Sequence, residues 1–201
     1  MSTGTVPTER ECLRILREEG CRPSIIEHVC TVKLLAEEMA KRSGADLKLV
    51  RAGALLHDVG RSRTQSVRHV AESARIARIR ALPEELVRVI ERHVAAGLTH
   101  EEAASLGLPP GDYMPETLEE KIVCHADNLV KGPIHIQTLD EAMEGVMHKG
   151  YPVTGERMRT MHRELSRACG KDVDEMVRSL RLDMEVKGPC AAYMHRKDAH
   201  P

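Results

Sequence analysis

The sequence predicts an all-α fold, and three features of its 201 residues point to it. Apolar residues recur at helical spacing through most of the chain, and no segment shows the apolar–polar alternation of a half-buried strand. Several of these segments open with a capping box, in which a Ser or Thr and a Glu three residues later satisfy the first free amides. Glycines end several of them. The capping boxes begin at Thr8, Ser24, Thr99 and Thr117, and the stops are Gly20, Gly44, Gly97, Gly107 and Gly170.

The first five predicted helices each have a recognisable start or apolar stripe. Capping boxes open the first two, and the third is an apolar run that leads up to His57. The fourth has the most mixed face, with Ser73 beside Ile76, and Pro83 suits the first position of the fifth. Their predicted ranges are 8–19, 24–43, 46–59, 66–81 and 83–96.

The remaining five helices follow the same logic. Capping boxes open the sixth and seventh, and apolar stripes run along the last two. Their predicted ranges are 99–106, 117–131, 138–149, 154–169 and 172–186.

The chain is expected to form one domain over residues 1–150, with a C-terminal helical extension over 151–187 packed on it. A dimerisation arm and a substrate lid are the alternatives for the extension. The loop at 107–116, rich in glycine and proline, is a second candidate lid. The polar end at 188–201 is expected to be a flexible tail.

Composition narrows the class of protein. The 30 basic residues nearly balance 31 acidic ones, for a net charge of -1, and Trp and Phe are absent. A general nucleic-acid binder or base-stacking surface is therefore not expected. The six cysteines form no CxxC pair and the N-terminus has no apolar leader, which predicts a reduced, cytoplasmic protein without a structural zinc finger. No apolar run could cross a bilayer, so no membrane partner is expected.

Eleven histidines stand out, and their positions indicate a metal site. The adjacent His57 and Asp58 close a helical run, and side chains about 100° apart can both reach one cation. His28, His93 and Asp127 lie on the apolar faces of three other helices. Each alone is more often a core histidine or a helix cap. Together they favour a metal, because unpaired buried imidazoles and carboxylates are costly and a bound ion removes that cost.

The order His28, His57-Asp58, His69, His93, Asp127 resembles that of the HD superfamily of metal-dependent phosphohydrolases. The segment 57–60, His-Asp-Val-Gly, differs from the HDIG motif of one branch only by Val for Ile. Arg61 occupies the position after this motif, where the family often has a lysine. The positive charge is kept, but the compact ammonium group of lysine is replaced by a planar guanidinium that can donate two parallel hydrogen bonds. The resemblance covers about residues 24–131. It implies a single helical HD-domain bundle, and the last two predicted helices are two additional C-terminal helices outside the region of resemblance.

The resemblance also implies a ligand set. His28, His57, Asp58 and Asp127 would hold one metal, and His69 and His93 match the extra histidines of dinuclear members, with Asp58 bridging. Nitrogen-rich ligands favour iron, manganese, cobalt or zinc over magnesium, for one or two ions. His125 is about 200° around the helix from Asp127 and is assigned to packing or to the surroundings of the ligands.

The function expected from these residues is metal-assisted hydrolysis of a phosphorylated small molecule, with a nucleotide as the favoured substrate. Asp58 and Arg61 are the catalytic candidates, and Arg61 and Arg63 are the candidate phosphate binders because arginine suits bidentate phosphate contact. A nucleoside monophosphate, a dinucleoside polyphosphate and a cyclic phosphodiester all remain open, the last less favoured without a GYP signature. The alternative is a metal-stabilised HD-like binding or regulatory module that docks RNA or a protein. The sequence is also compatible with a homo-oligomer.

Overall fold

The computed structural model describes residues 4–182 and 189–194. The all-α prediction is confirmed, and each of the ten predicted segments contains an α-helix. The helices in chain order are α1 (Glu9–Glu18), α2 (Pro23–Ser43), α3 (Leu47–Leu56), α4 (His69–Ile79), α5 (Glu84–Glu91), α6 (His100–Ser105), α7 (Leu118–Asn128), α8 (Leu139–His148), α9 (Pro152–Cys169), α10 (Val173–Leu182) and α11 (Ala191–Met194). A short 3-10 helix, Val59–Ser62, follows α3.

A small hairpin departs from the prediction of a helix over 117–131. Helix α7 ends at Asn128, and strands β1 (Val130–Lys131) and β2 (His135–Ile136) pair antiparallel, with Lys131 opposite His135. Gly132 turns the chain with a φ of 63°, and the following proline cannot continue a helix. Two-residue strands are too short to show alternation, which is why the sequence does not reveal the hairpin.

Helix α2 is the central element and separates two apolar clusters. On one side Met39 packs with Val123 of α7 and with the C-terminal helices, and on the other Leu55 of α3 and Leu86 of α5 belong to a cluster with α1. Helices α9 and α10 bury Met158, Leu165 and Val177 in the first cluster, so these helices lie on the domain core. Among the described residues, no helix is long and apolar enough to cross a membrane.

The cysteine prediction is wrong for one pair. Cys30 on α2 forms a disulfide with Cys190, which is fully buried just before α11. The pair is separated by 160 residues, so no local spacing could reveal it. Residues 189–194, within the expected flexible tail, are therefore tied to the domain. Residues 183–188 and 195–201, on which the rest of the tail and the end of the last predicted helix fall, lie outside the described part of the chain.

The loop at 107–116 is anchored to the domain by a buried arginine. Arg92 is 8% exposed and pairs with Asp112 at 2.9 Å, Glu116 at 2.8 Å and Glu120 at 3.0 Å. Tyr113 is also buried and donates a hydrogen bond from its hydroxyl to a carbonyl of the same loop. These contacts fix the loop against the start of α7.

We expect Arg92→Leu to lower the free energy of unfolding by about 3 kcal/mol, because the buried carboxylate of Glu120 loses its hydrogen-bonded partner. Arg88→Leu is the matched control, since Arg88 lies one turn earlier, is 46% exposed and approaches Glu120 only to 3.9 Å. That control should change stability by less than about 1 kcal/mol. Urea titration measures both, and equal losses would contradict the anchoring role.

Candidate metal centre

Six side chains from separate elements converge at one end of the bundle. Helix α3 ends at Leu56, and the next two residues turn into the 3-10 helix, with Asp58 at φ -99° and ψ 13°. This turn lets His57 and Asp58 face the same side. Gly60 then allows α4 to approach, and its amide donates to Ser73 Oγ at 2.8 Å. The elements that supply the six residues are α2 (His28), the end of α3 (His57, Asp58), the start of α4 (His69), the segment after α5 (His93) and α7 (Asp127).

Asp127 is the centre of the first group. Its Oδ1 lies 2.9 Å from His28 Nε2 and 3.4 Å from His57 Nε2. The Oδ2 of Asp58 lies 3.9 Å and 3.8 Å from the same two nitrogens. The ligand atoms of His28, His57 and Asp127 lie within 4.8 Å of one another, and Asp58 Oδ2 adds a fourth potential ligand beside the two histidines.

The other oxygen of Asp58 faces a second group. Its Oδ1 lies 3.1 Å from His69 Nε2 and 3.7 Å from His93 Nε2. These two nitrogens are themselves 3.2 Å apart. Asp58 is therefore shared, with one oxygen toward each group.

The hydrogen-bond partners of the Nδ1 atoms fix the tautomers of the four histidines. Each Nδ1 lies next to a backbone carbonyl, which can only accept, so each Nδ1 must carry the proton. A neutral ring then presents the lone pair of Nε2 inward. The pairs are His28 with Gly132 O at 2.9 Å, His57 with Ala54 O at 2.8 Å, His69 with Ser66 O at 2.8 Å and His93 with Ile90 O at 2.6 Å. Such outer hydrogen bonds are typical of metal-binding histidines.

Two buried atoms of the centre lack a hydrogen bond. His57 Nε2 and Asp58 Oδ1 are enclosed and form no hydrogen bond among the described residues, because in these tautomers the atoms nearest to them, Asp127 Oδ1 and His69 Nε2, offer lone pairs and no proton. The two residues, His57 and Asp58, are 0% and 2% exposed. Buried polar atoms of this kind cost free energy unless a partner satisfies them. Lone pairs and carboxylate oxygens that face one another need a cation between them. The donor set therefore fits a divalent metal.

Charges within the cluster shift the pKa values of its members. Burial raises the pKa of Asp58, but the surrounding imidazoles, His57 foremost, together outweigh burial and hold that pKa below its usual value. Burial, with the charge of His57, lowers the pKa of His93 to about 3. At His28 burial lowers the pKa, yet the hydrogen bond and charge of Asp127 raise it to about 9. An ionised Asp58 and a neutral His93 are the states that metal ligands require, and a metal would displace the proton of His28.

The two arginines that the sequence offers as phosphate binders contact different partners. Arg61 donates from Nε to Asp58 Oδ2 at 2.5 Å and keeps 29% of its side chain exposed. Arg63 turns away and pairs with Glu19 at 2.6 Å. Of the two, only Arg61 therefore lies at the centre. The pairing of Arg63 depends on a residue 44 positions away, which the local sequence could not reveal.

The remaining histidines lie elsewhere. His125 is fully buried, and its Nε2 lies 3.1 Å from His162 Nδ1, on the side of α7 away from the cluster. This agrees with its assignment to packing. His100 is exposed at the start of α6. His135 and His148, which show no ligand pattern in the sequence, line a cavity beside the centre.

Four imidazoles and the carboxylate of Asp127 thus surround the carboxylate of Asp58 in a helical bundle, and such a ligand set is typical of metal-binding proteins. A sequence model of the HD domain matches residues 25–132. The chain belongs to the HD domain family.

Several known proteins resemble the chain in sequence or in fold. The chain is 44% identical over 175 residues to tRNA (cytidine(56)-2'-O)-methyltransferase of Picrophilus torridus, a match that covers 87% of this chain and 51% of that protein. It is 45% identical over 139 residues to an uncharacterized protein of Methanocaldococcus jannaschii, covering 66% of this chain and 82% of that one. Among solved structures, the chain resembles the HD domain of the Listeria monocytogenes phosphodiesterase PgpH in complex with cyclic-di-AMP. The two superpose with a TM-score of 0.55 at 16% sequence identity, over 89% of this chain and 99% of that chain. This likeness shows that the fold is shared.

The first relative corrects one expectation. The chain spans about half the length of the curated tRNA methyltransferases it matches, and those proteins act on RNA. The expectation that nucleic acid would not be a partner, which came from composition, is therefore wrong. Net charge averages over the whole surface and carries no information on a local basic stretch.

Proposed function

We propose that the chain is a metal-dependent phosphohydrolase that cleaves a phosphate ester or anhydride of a nucleotide or polynucleotide. The single observation that carries the proposal is the position of Asp58. One of its oxygens faces His28 and His57, and the other faces His69 and His93. A carboxylate shared in this way suits two ions held side by side.

The proposed ligands follow from the two groups of atoms. His28, His57, Asp58 and Asp127 would hold one ion, and Asp58, His69 and His93 the other. Mixed nitrogen and oxygen ligands favour iron, manganese, cobalt or zinc. When bound, divalent ions of this kind activate water as a nucleophile and compensate the charge of a phosphate.

Arg61 would bind the substrate phosphate. Its Nε lies on Asp58, and its other guanidinium nitrogens, which pair with no carboxylate of the described residues, can donate to a phosphate oxygen placed next to the centre. The contact with Asp58 also orients the guanidinium. Arg63 would have to leave Glu19 to contribute, so we assign the phosphate contact to Arg61 alone.

The proposal predicts metal-dependent turnover and about two ions per chain. Protein stripped with chelator and reloaded with each candidate metal is assayed on bis(p-nitrophenyl) phosphate, nucleotides and oligonucleotides, with metal content from mass spectrometry. His69→Ala should retain about one ion, and His100→Ala, at an exposed position, should retain both. Bound metal without turnover of any substrate would contradict the hydrolase.

Arg61→Ala should raise KM for a phosphate ester and lower kcat/KM by about 100-fold, while metal content stays that of the parent protein. Arg61→Lys should recover part of the loss, because it keeps the charge and loses the fork. Arg63→Ala is the matched control and should fall within about threefold of the parent protein, since Arg63 is 46% exposed and pairs with Glu19 rather than with Asp58. Equal losses in both alanine variants would remove the distinction between the two arginines.

The second candidate function is an RNA-associated binding module that carries the metal without turnover. The observation that favours it is the 44% identity to about half of a tRNA methyltransferase. The same metal-content and substrate assays separate it from the hydrolase.

A further inference from the structure

The metal centre opens into two cavities that lie on either side of Arg61. A cavity of about 810 Å³ reaches His28, Asp127 and Arg61 from the side of the hairpin and α8. A second, of about 290 Å³, reaches His28, Asp58 and Arg61 from the side of the α2 N-terminus. Both are lined by His28 and Arg61, so they border one another at the metal centre, and we call the two together the channel.

The larger cavity carries basic groups on both walls. Lys131 and His135 are opposite one another in the hairpin and are exposed. His148 and Lys149 lie across the cavity at the end of α8. In the described residues no carboxylate pairs with either lysine, whereas Glu141 in the same cavity pairs with Arg181. The two lysines on this side therefore stand against one glutamate, Glu144, that forms no ion pair among the described residues.

The opposite end of the channel is also basic. The second cavity shares Arg61 and Gln65 with a smaller one of about 170 Å³, which is also lined by Arg22 and Arg63. Arg22 is exposed and has no ion-pair partner among the described residues. The N-terminus of the 21-residue helix α2 lies at this side as well, with no side-chain cap, and its dipole favours an anion.

The centre lies at the bottom of this channel. His57 and Asp58 are almost fully buried, while Lys131, Lys149 and Arg22 at the two ends are exposed. A phosphate must enter the cleft to reach the centre, which a flexible single strand can do and a rigid duplex cannot. A mononucleotide would occupy one side only and leave the basic groups of the other without a role.

We propose that this channel binds a single-stranded polynucleotide across the metal centre, with one phosphate at Arg61 and flanking phosphates at Lys131 and Lys149 on one side and at Arg22 on the other. The inference rests on the proposed function and names its substrate class as an internal phosphodiester of the strand. Because the channel offers cations and no Trp or Phe, the strand is held by its phosphates, and binding is salt-dependent rather than sequence-specific.

The test is binding of a fluorescein-labelled oligo(U) of roughly 12 nucleotides to the full chain in EDTA, by anisotropy over a series of salt concentrations. One variant is Lys131→Ala with Lys149→Ala, and another is Arg22→Ala. The control, Lys41→Ala with Lys48→Ala, removes the same charge at exposed positions. Lys41 lies thirteen residues beyond His28 on α2, about 20 Å along the helix.

We expect the oligomer to bind about tenfold tighter than UMP, used as a competitor, because UMP offers a single phosphate. The slope of log affinity against log salt should fall by about 1.4 in the double lysine variant and by about 0.7 in Arg22→Ala. The control should keep the slope of the parent protein. UMP binding that equals oligomer binding, or end variants that match the control, would overturn the proposal. A loss at only one end would also overturn it, because the strand would then stop at the centre.

Binding in EDTA and hydrolysis with metal fail independently. A protein that hydrolyses phosphate esters and does not prefer the oligomer keeps the proposed function and loses the channel. A protein that binds the oligomer through both ends and hydrolyses nothing keeps the channel and loses the hydrolase.

Discussion

Asp58→Ala is expected to lower kcat/KM on any phosphate ester by a thousandfold or more, on the order of 4 kcal/mol of lost transition-state stabilisation. The reason is that Asp58 has an oxygen toward each group of nitrogens, at 3.1 Å from His69 and 3.8 Å from His57. Its loss removes a ligand from both proposed ions at once. It also removes the acceptor that orients Arg61.

The variant is measured for turnover, metal content and thermal unfolding with and without metal. The parent protein should be stabilised by added metal, since a ligand that binds only the folded state raises its melting temperature. Asp58→Ala should lose that response. Asp140→Ala, an exposed aspartate on α8, is the matched control and should behave as the parent protein. Turnover and metal content that persist in Asp58→Ala would contradict both the mechanism and the proposed ligand set.

Local signals explain which parts of the fold could be predicted. The capping boxes at Thr8, Thr99 and Thr117 form as expected, because their partners lie within one turn. The expected box at Ser24 does not form, since α2 begins one residue earlier with Pro23 at its first turn. His93, predicted to lie within a helix, instead follows the end of α5.

Contacts between distant residues could not be predicted. The pairing of Cys30 with Cys190, the ion pairs of Arg92 and the turning away of Arg63 all join residues that no periodicity connects. The order of histidines and aspartates identified the candidate ligands, because most of them lie at positions facing the core. The backbone carbonyls that accept hydrogen bonds from the imidazoles could not be predicted from the sequence, since every residue carries a carbonyl.

Gly60→Ala is expected to lower the free energy of unfolding by about 3 kcal/mol and to disturb the second group of ligands. A methyl group at Gly60 would lie 2.5 Å from the amide of Ser73 and closer still to the carbonyl of His69. Both are backbone atoms of the first turns of α4, so no side-chain rotation relieves the clash. Helix α4 must move away, and it carries His69 at its first residue.

Urea unfolding and metal content test this prediction together. Gly145→Ala is the matched control, because a methyl group at that position in α8 meets no atom within 4 Å. It should raise stability by about 0.5–1 kcal/mol through helix propensity. The same substitution should therefore lower the free energy of unfolding at Gly60 and raise it at Gly145. The difference arises because α4 approaches Gly60 closely, whereas no atom lies near Gly145. If Gly60→Ala instead unfolds within about 0.5 kcal/mol of the parent protein and keeps its full metal content, the glycine after the His-Asp-Val segment is not needed to place His69.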